Sequence, residues 1–218
     1  MIKTYKGNLF SSSCQTIVNT VNCVGIMGAG IALEYRLRYP KMYKKYVEYC
    51  KTGLIKIGSL WLYKHSDEKW VLNFPTKTHW KYPSKTEYLL MGLDKFIDSY
   101  EQKGITSVAF PILGSEKGGL PKDKSKDIME EYLSNCKILV EIYEYDPDSI
   151  DNEFEIFKQQ FLQTGLNQLI NDCGIQHRYA INLEKALNNP NINSLSSLCS
   201  VKGLGIQTVE KTFNFLMH

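Results

Sequence analysis

The chain has 218 residues, which is enough for one large domain or for a full domain with a small appendage. A hydrophobic content of 43% is ordinary for a protein with a buried core, and a formal net charge of +3 is too small to identify an anionic partner. The six cysteines contain no C-x-x-C pair and form no metal-binding spacing with the four histidines, so we predict neither a metal site nor a disulfide framework. No apolar run reaches membrane-spanning length and no signal pattern opens the chain, which predicts a cytoplasmic location.

The most informative stretch comes after a short predicted strand at 2–6. An apolar run at 17–21 is interrupted by Asn19 and followed by Asn22, a glycine-dense turn at 25–30 and a helical pattern at 31–39. A buried strand, a glycine turn and a helix start present backbone N–H groups to a phosphate. The spacing is neither G-x-G-x-x-G nor a Walker loop, so a merely flexible turn is the alternative. The two asparagines favour a ligand, because buried amides are poor packing choices unless something polar binds them.

Further elements alternate between strand and helix as far as residue 145. We predict strands at 59–64, 69–74, 105–113 and 137–145, and helices at 41–51, 84–103 and 122–133. Ser84 is the predicted N-cap of the middle helix, because Glu87 follows three residues later. This alternation predicts an α/β fold, a three-layer α/β/α sandwich.

Three segments follow predicted strands at the position where such sheets bind ligands. They are the glycine turn at 25–30, the Thr76-Lys77 segment in the run Asn73-Phe74-Pro75-Thr76-Lys77-Thr78-His79-Trp80, and a second glycine loop at 114–119. The composition changes after Asp146-Pro147-Asp148, where helical segments rich in Asn, Gln and Leu begin. We therefore predict one domain at 1–146 and a small helical domain at 152–218.

Residues 1–146 resemble a macrodomain, the ADP-ribose-binding module. The resemblance is carried by Gly7-Asn8-Leu9, by Val18-Asn19-Thr20-Val21-Asn22, by Gly25-Ile26-Met27-Gly28-Ala29-Gly30-Ile31-Ala32 and by Pro111-Ile112-Leu113-Gly114. The stretch from Asn73 to Lys77 followed by His79-Trp80 is similar to the DarG antitoxin branch. The resemblance implies a central mixed sheet, no cofactor, and removal of ADP-ribose from modified DNA bases or from protein carboxylates.

The resemblance also implies residue roles. Lys77 would be catalytic at the anomeric carbon, in place of the alternative that it is a solvated loop lysine. A lysine amine is a nucleophile only when its pKa is lowered by desolvation or by nearby positive charge. The implied ADP-ribose-binding residues are Asn8, Leu9, Asn19, Asn22, Gly28, Ala29, Gly30, Ile31, Thr76, Gly114, Ser115, Glu116, Lys117, Gly118 and Gly119.

Two departures from the family pattern affect the second loop. Relatives that act on modified proteins place a catalytic aspartate at the position of Gly118, and neither Glu116 nor Asp123 is in register with it. Ser115-Glu116-Lys117 also replaces the usual Cys-Gly segment. The missing aspartate argues against a lysine–aspartate mechanism and agrees better with the DNA-directed branch.

The tail contains the pattern Val201-Lys202-Gly203-Leu204-Gly205-Ile206, which resembles a helix-hairpin-helix motif. The amides of such a turn can hold a DNA phosphate without reading sequence. The tentative DNA-binding residues are Lys202, Gly203, Gly205 and Lys211. The alternative is an ordinary helix–helix turn that ends in a glycine cap.

The sequence therefore predicts a glycohydrolase that acts on ADP-ribosylated DNA and opposes a DarT-like ADP-ribosyltransferase toxin. It is predicted to be a monomer without a membrane partner. Two alternatives use the same pocket. One is a module that binds ADP-ribose or a related nucleotide without hydrolysis, and the other is an ADP-ribose 1″-phosphate phosphatase, which would not need Lys77.

Overall fold

The computed structural model describes residues 1–217. These residues divide into two compact units, of which the first is Met1–Asp146 and the second begins at Pro147. Within residues 1–217, none of the helices is both long enough and apolar enough to span a bilayer.

The first unit is built on one six-stranded sheet. Its strands are β1 (Ile2–Gly7), β2 (Thr16–Asn22), β3 (Trp61–Lys64), β4 (Trp70–Lys77), β5 (Ser107–Pro111) and β6 (Leu139–Tyr145). Its helices are α1 (Gly30–Arg38), α2 (Pro40–Lys51), α3 (Thr86–Ser99) and α4 (Lys122–Leu133), with short 3-10 turns at Leu9–Ser11 and Glu116–Gly118. The strand order is β1-β6-β5-β2-β4-β3, and every pair is parallel except β3–β4. The predicted central mixed sheet is confirmed.

The sheet has a separate apolar core on each face. Alternate strand residues point to opposite faces, so Val18 and Leu72 pack with α3 and α4, whereas Ile17 and Val71 pack with α1 and α2. A strand covered on both faces buries nearly all its side chains, as β4 does from Trp70 to Thr76. The predicted three-layer α/β/α sandwich is thereby confirmed.

Several boundaries differ from the sequence prediction. Strand β4 continues to Lys77 instead of ending at Phe74, and Pro75 pairs with Val21 of β2 beyond the residues that pair with β3. Strand β5 is shorter than the predicted 105–113, and α3 ends at Ser99 instead of near Lys103. The predicted N-cap at Ser84 is wrong, since the cap position is Lys85 and it makes no side-chain capping bond.

The second unit is entirely helical in the part that the structure describes. Its helices are α5 (Asn152–Thr164), α6 (Leu166–Asn171), α7 (His177–Leu187), α8 (Leu195–Cys199) and α9 (Ile206–Met217). Its core contains buried phenylalanines of α5 and α9, in which the rings of Phe157 and Phe213 lie 5.3 Å apart. Apolar residues at helical spacing on α5 and α9 explain why these two helices pack together.

Candidate functional site

Three neighbouring parallel strands place their carboxyl ends at one edge of the sheet. Strand β2 lies between β4 and β5, and the three strands end at Asn22, Lys77 and Pro111. Asn22 and Lys77 are register partners across β2 and β4, after a register shift between Val21 and Asn22. The first glycine loop (residues 23–29) follows Asn22 and the second (residues 112–119) follows Pro111, so both lie at the edge where open α/β sheets bind ligands.

Asn22 organises the first glycine loop. Its Oδ1 accepts hydrogen bonds from the amides of Val24 at 3.0 Å and Ile26 at 3.4 Å, and its Nδ2 donates to the Ile26 carbonyl at 2.5 Å. The hydroxyl of Tyr46 on α2 donates to the Asn22 carbonyl at 2.6 Å. The amide side chain supplies both an acceptor and a donor at this point. Asn22 therefore fixes the loop shape.

We expect Asn22→Ala to weaken ADP-ribose binding by about tenfold and to lower the free energy of unfolding by about 2 kcal/mol, because the side-chain hydrogen bonds that shape the loop are lost. Calorimetry with ADP-ribose and urea denaturation measure the two effects. Asn22→Asp is the matched variant, since it keeps the acceptor oxygens and loses only the donor to Ile26. Equal affinity of wild type and Asn22→Ala would contradict this role.

Helix α1 begins at the end of the first glycine loop without a side-chain cap. Its N-cap residue is Ala29, in extended conformation, which leaves the first amides of the helix without an internal side-chain acceptor. Gly28, Ala29, Gly30 and Ile31 are all at least partly exposed. A phosphate is favoured at such a helix end by the free N–H groups and by the helix dipole. The predicted diphosphate-binding residues thus have geometry suited to that role.

The second glycine loop is a compact turn. The buried Ser115 hydroxyl donates to the Ile112 carbonyl at 2.9 Å, and the amides of Gly118 and Gly119 donate to the Ser115 carbonyl at 2.5 and 2.9 Å. Glu116 and Lys117 are exposed at its tip. Because the turn itself uses the Gly118 and Gly119 amides, contact with a ligand falls to the residues that precede them.

Lys77 contacts the second glycine loop from the centre of this edge. Its ammonium donates a hydrogen bond to the Lys117 carbonyl in the second loop. A Cβ built at Gly30 would lie 3.4 Å from Lys117 Cγ, so the start of α1 and the second glycine loop face each other here. Desolvation lowers the pKa of Lys77 below its ordinary value of 10.5. The lysine therefore lies against the second glycine loop with a pKa shifted in the direction that favours the neutral amine.

Two polar residues predicted to bind ligand lie beneath this edge. Asn19 is fully buried, and its Nδ2 donates to Oδ1 of its register partner Asn73 at 3.0 Å. Thr76 is also buried, next to Lys77 in β4. Paired amides between β2 and β4 satisfy part of each other's hydrogen-bonding requirement in a dry layer. Asn19 therefore helps to position the two strands, and its buried Oδ1 has no hydrogen-bond partner among the described residues.

Asn8 and Leu9 lie after β1, which is the edge strand of the sheet. The Asn8 Oδ1 accepts from the Phe10 amide at 3.0 Å and caps the 3-10 turn Leu9–Ser11. Leu9 is buried. The carbonyl oxygen of Asn8 keeps a second lone pair, and its Nδ2 is a further donor for a base edge.

Ser84 does not cap α3, although the sequence predicts that it does. It is 4% exposed, its amide donates to the Gly118 carbonyl at 2.9 Å, and its Oγ is buried without a hydrogen-bond partner among the described residues. A Cβ built at Gly118 would lie 2.8 Å from that Oγ. A side chain at position 118 would therefore have to displace the Ser84 hydroxyl.

The second unit carries a separate candidate site beside the α8–α9 turn. An open cleft of about 400 Å³ is lined by Arg178, Tyr179 and Asn182 of α7 and by Gly203, Leu204 and Gly205. Leu204 is buried, whereas Gly203 and Gly205 are exposed. This arrangement is expected of a hairpin turn whose backbone contacts a ligand. Lys202 is exposed on the same turn.

Lys211 does not line this cleft, because its ammonium donates to the Gly174 carbonyl at 2.9 Å. Sequence reasoning missed Arg178, since it lies 25 residues before Gly203 in another helix.

The first unit thus defines an α/β/α domain whose sheet edge can hold a nucleotide phosphate between two glycine loops. Residues 18–129 match the family described as "Macro domain". The chain belongs to this family.

Relatives and solved structures support the more specific resemblance. The chain is 36% identical over 150 residues to a "DNA ADP-ribosyl glycohydrolase" of Thermus aquaticus, an alignment that covers 67% of this chain and 41% of that protein. The fold is similar to "Macrodomain of Thermus aquaticus DarG", with a TM-score of 0.63, 36% identity, and coverage of 66% of this chain and 98% of that one. It is also similar to "Thermosipho africanus DarTG in complex with ADP-ribose", with a TM-score of 0.64, 31% identity, and coverage of 71% of this chain and 44% of that one. The predicted resemblance to the DarG branch is confirmed. The chain spans less than half the length of the Thermus glycohydrolase that it matches.

Proposed function

We propose that this chain is an ADP-ribosyl glycohydrolase that removes ADP-ribose from modified DNA bases and so opposes a DarT-like ADP-ribosyltransferase. The observation that carries the proposal is Lys77, a lysine of lowered pKa that lies between two glycine loops as the register partner of Asn22. The relatives named DNA ADP-ribosyl glycohydrolase support the substrate class. We also propose that the protein is cytoplasmic and monomeric.

The proposed binding mode follows the sheet edge. The adenine lies toward Asn8 and Leu9, and the diphosphate contacts the start of α1 at Gly28, Ala29, Gly30 and Ile31. The second phosphate and the distal ribose lie under Gly114, Ser115, Glu116 and Lys117, close to Asn22. This course brings the anomeric carbon of the distal ribose to Lys77.

The proposed reaction has two steps. The neutral Lys77 amine forms a bond to the anomeric carbon while the bond from that carbon to the base nitrogen breaks, and the proton lost by the amine goes to the base. Water then adds to the same carbon and releases ADP-ribose, which restores the free amine. Before attack, the ammonium must leave the Lys117 carbonyl, so ligand binding and activation of the lysine are coupled.

A single-stranded oligonucleotide that carries one ADP-ribosylated base tests the proposal. We expect the wild-type chain to release free ADP-ribose and to restore the unmodified base, both measured by mass spectrometry. A matched peptide with ADP-ribose on a glutamate should be cleaved much more slowly, because position 118 carries no aspartate. If the oligonucleotide stays intact, the proposed function is wrong.

A non-catalytic ADP-ribose-binding module is the second candidate. It is favoured by the hydrogen bond that occupies the Lys77 ammonium and by the glycine at position 118. Calorimetric binding of ADP-ribose without turnover of the oligonucleotide, the peptide or ADP-ribose 1″-phosphate would select it. Release of phosphate from ADP-ribose 1″-phosphate alone would instead select the phosphatase alternative.

We further propose that residues 152–218 contact DNA through the cleft beside the α8–α9 turn. The exposed glycine amides, Lys202 and Arg178 supply donors and positive charge for one phosphate. This contact would be independent of base sequence, since a phosphate carries no sequence information.

For the tail, we expect Arg178→Gln combined with Lys202→Gln to weaken binding of unmodified DNA by about tenfold at low salt and to reduce the salt dependence, because both positive charges that would neutralise the phosphate are lost. Fluorescence anisotropy at several salt concentrations measures both. Lys211→Gln is the control, since its ammonium already bonds to Gly174. If Lys211→Gln lost more DNA affinity than the double variant, Lys211 would be the phosphate contact and the proposed cleft would not.

A further inference from the structure

The loop that follows the candidate catalytic lysine carries exposed aromatic rings. In the segment His79–Tyr82, here called the aromatic loop, Trp80 is 50% exposed and Tyr82 is 61% exposed. The His79 ring lies between them, stacked on Trp80 at 5.6 Å and 27° and tilted toward Tyr82 at 5.5 Å. Large aromatic side chains that stay this exposed and share one short loop commonly mark a binding surface.

The aromatic loop has a defined shape. The Lys81 amide donates to Nδ1 of His79 at 3.2 Å, and the Tyr82 amide donates to the His79 carbonyl at 3.1 Å. Local bonds of this kind hold the rings in place before any ligand binds. A preorganised surface loses less conformational entropy on binding than a flexible one.

Both ends of the aromatic loop are tied to the second glycine loop. On one side Lys77 donates to the Lys117 carbonyl, and on the other side the Ser84 amide donates to the Gly118 carbonyl at 2.9 Å. The exposed rings therefore stand at the rim of the candidate catalytic site. A polymer attached to the group that is cleaved at Lys77 must leave the site across some part of this rim.

The charge of the segment matches a polyanion. Residues 75–86 contain Lys77, Lys81 and Lys85 and no aspartate or glutamate. The Lys81 ammonium lies 5.2 Å from the Trp80 ring centroid, so a positive charge and a stacking face occur together. Aromatic faces beside lysines are the combination that binds single-stranded nucleic acid, in which bases stack and phosphates pair with cations. In a duplex the base faces are already covered, so the surface fits a single strand.

Resting on the proposed glycohydrolase function, we propose that the aromatic loop stacks the bases that flank the modified nucleotide, with Trp80 as the main stacking residue and Lys81 as the phosphate contact. The loop then selects a modified base within single-stranded DNA over the same modification on an isolated nucleoside. It is a specificity surface and takes no part in bond cleavage.

Two substrates that differ only in their flanks test the proposal. One is an ADP-ribosylated nucleoside, and the other is a single-stranded oligonucleotide with the same modified base at its centre. We expect Trp80→Ala to raise KM for the oligonucleotide by about tenfold, to leave kcat nearly unchanged and to leave the nucleoside kinetics unchanged, since one stacking contact is lost. Trp80→Phe, which keeps an aromatic face, should recover most of the loss. An unchanged oligonucleotide KM, or an equal loss on both substrates, overturns the proposal.

A binding measurement separates this proposal from the proposed function. If the wild-type chain cleaves neither substrate, the glycohydrolase proposal fails, and anisotropy with an unmodified single-stranded oligonucleotide still decides the role of the loop. The Arg178→Gln and Lys202→Gln background removes the tail contact from that measurement. Weaker binding by Trp80→Ala in this background supports the stacking surface, and unchanged binding refutes it. Competition by polyglutamate as strong as by the oligonucleotide also refutes it, because polyglutamate has no bases to stack.

Discussion

Lys77→Ala should lower kcat on an ADP-ribosylated oligonucleotide by at least about a hundredfold, the usual scale for loss of a group that acts directly on the reacting atoms. The physical reason is that, among residues 1–217, Lys77 combines a lowered pKa with a place at the sheet edge beside the second glycine loop. ADP-ribose affinity should change by less than about threefold, because the lysine would act at the transition state more than in ground-state binding. Quenched-flow release of ADP-ribose and calorimetry measure the two quantities.

Lys77→Arg distinguishes a nucleophile from a simple positive charge. A guanidinium keeps the charge but does not lose its proton under any usable condition, so a nucleophilic role predicts that this variant is as inactive as Lys77→Ala. Activity near that of wild type in Lys77→Arg would show that the charge alone is sufficient. Full activity in Lys77→Ala would remove the residue from the mechanism altogether.

The pH profile gives an independent check on Lys77. Desolvation disfavours the ammonium form and lowers the pKa below 10.5, so the neutral, reactive amine appears at lower pH than in a solvated lysine. The wild-type kcat/KM should rise with pH and reach its plateau below 10.5, as the proton leaves. A profile that falls as pH rises over this range would contradict attack by the neutral amine.

The elements of the site could be predicted from the sequence because each depends on local chemistry. The glycine turn before α1, the amide at Asn22 and the second glycine loop are all short segments whose residue types restrict the backbone or require a polar partner. The pairing of Asn22 with Lys77 could not be predicted in the same way, because 55 residues separate them and parallel register depends on the whole sheet.

Ser84 shows how a local rule can give the wrong answer. Its spacing to Glu87 is that of a capping box, and in an isolated helix this pattern would define the start. In the folded chain, the Ser84 amide donates to the Gly118 carbonyl, and the second glycine loop buries the Ser84 side chain. The tertiary contact thus moves the helix start to Thr86. In the sequence, His79-Trp80 carries only a family resemblance, since exposure of these rings can be judged only in the folded chain.

Gly92→Ala should lower the free energy of unfolding of the first unit by about 3 kcal/mol, at the upper end of the range for an overpacked core. A Cβ at Gly92 would lie 2.1 Å from Cζ and 2.4 Å from Cε1 of Phe74, a fully buried ring in β4. The same substitution at an unobstructed helix position would stabilise by about 1 kcal/mol, so the expected sign is opposite to that of helix propensity. Urea denaturation followed by tryptophan fluorescence measures the first unit alone, since Trp61, Trp70 and Trp80 all lie in it.

Two further variants show whether the Phe74 ring is the cause. Asp94→Ala, at an exposed position of the same helix, should change stability little. When Phe74→Leu is combined with Gly92→Ala, the loss of unfolding free energy should be smaller than the sum of the two single losses. The smaller side chain at position 74 leaves the space that the new methyl group needs. Strict additivity would mean that α3 moves away from the sheet as a whole. Since α3 begins nine residues after Lys77, such a movement would also disturb the segment that follows this candidate catalytic lysine, and Gly92→Ala would then lose activity even where it remains folded.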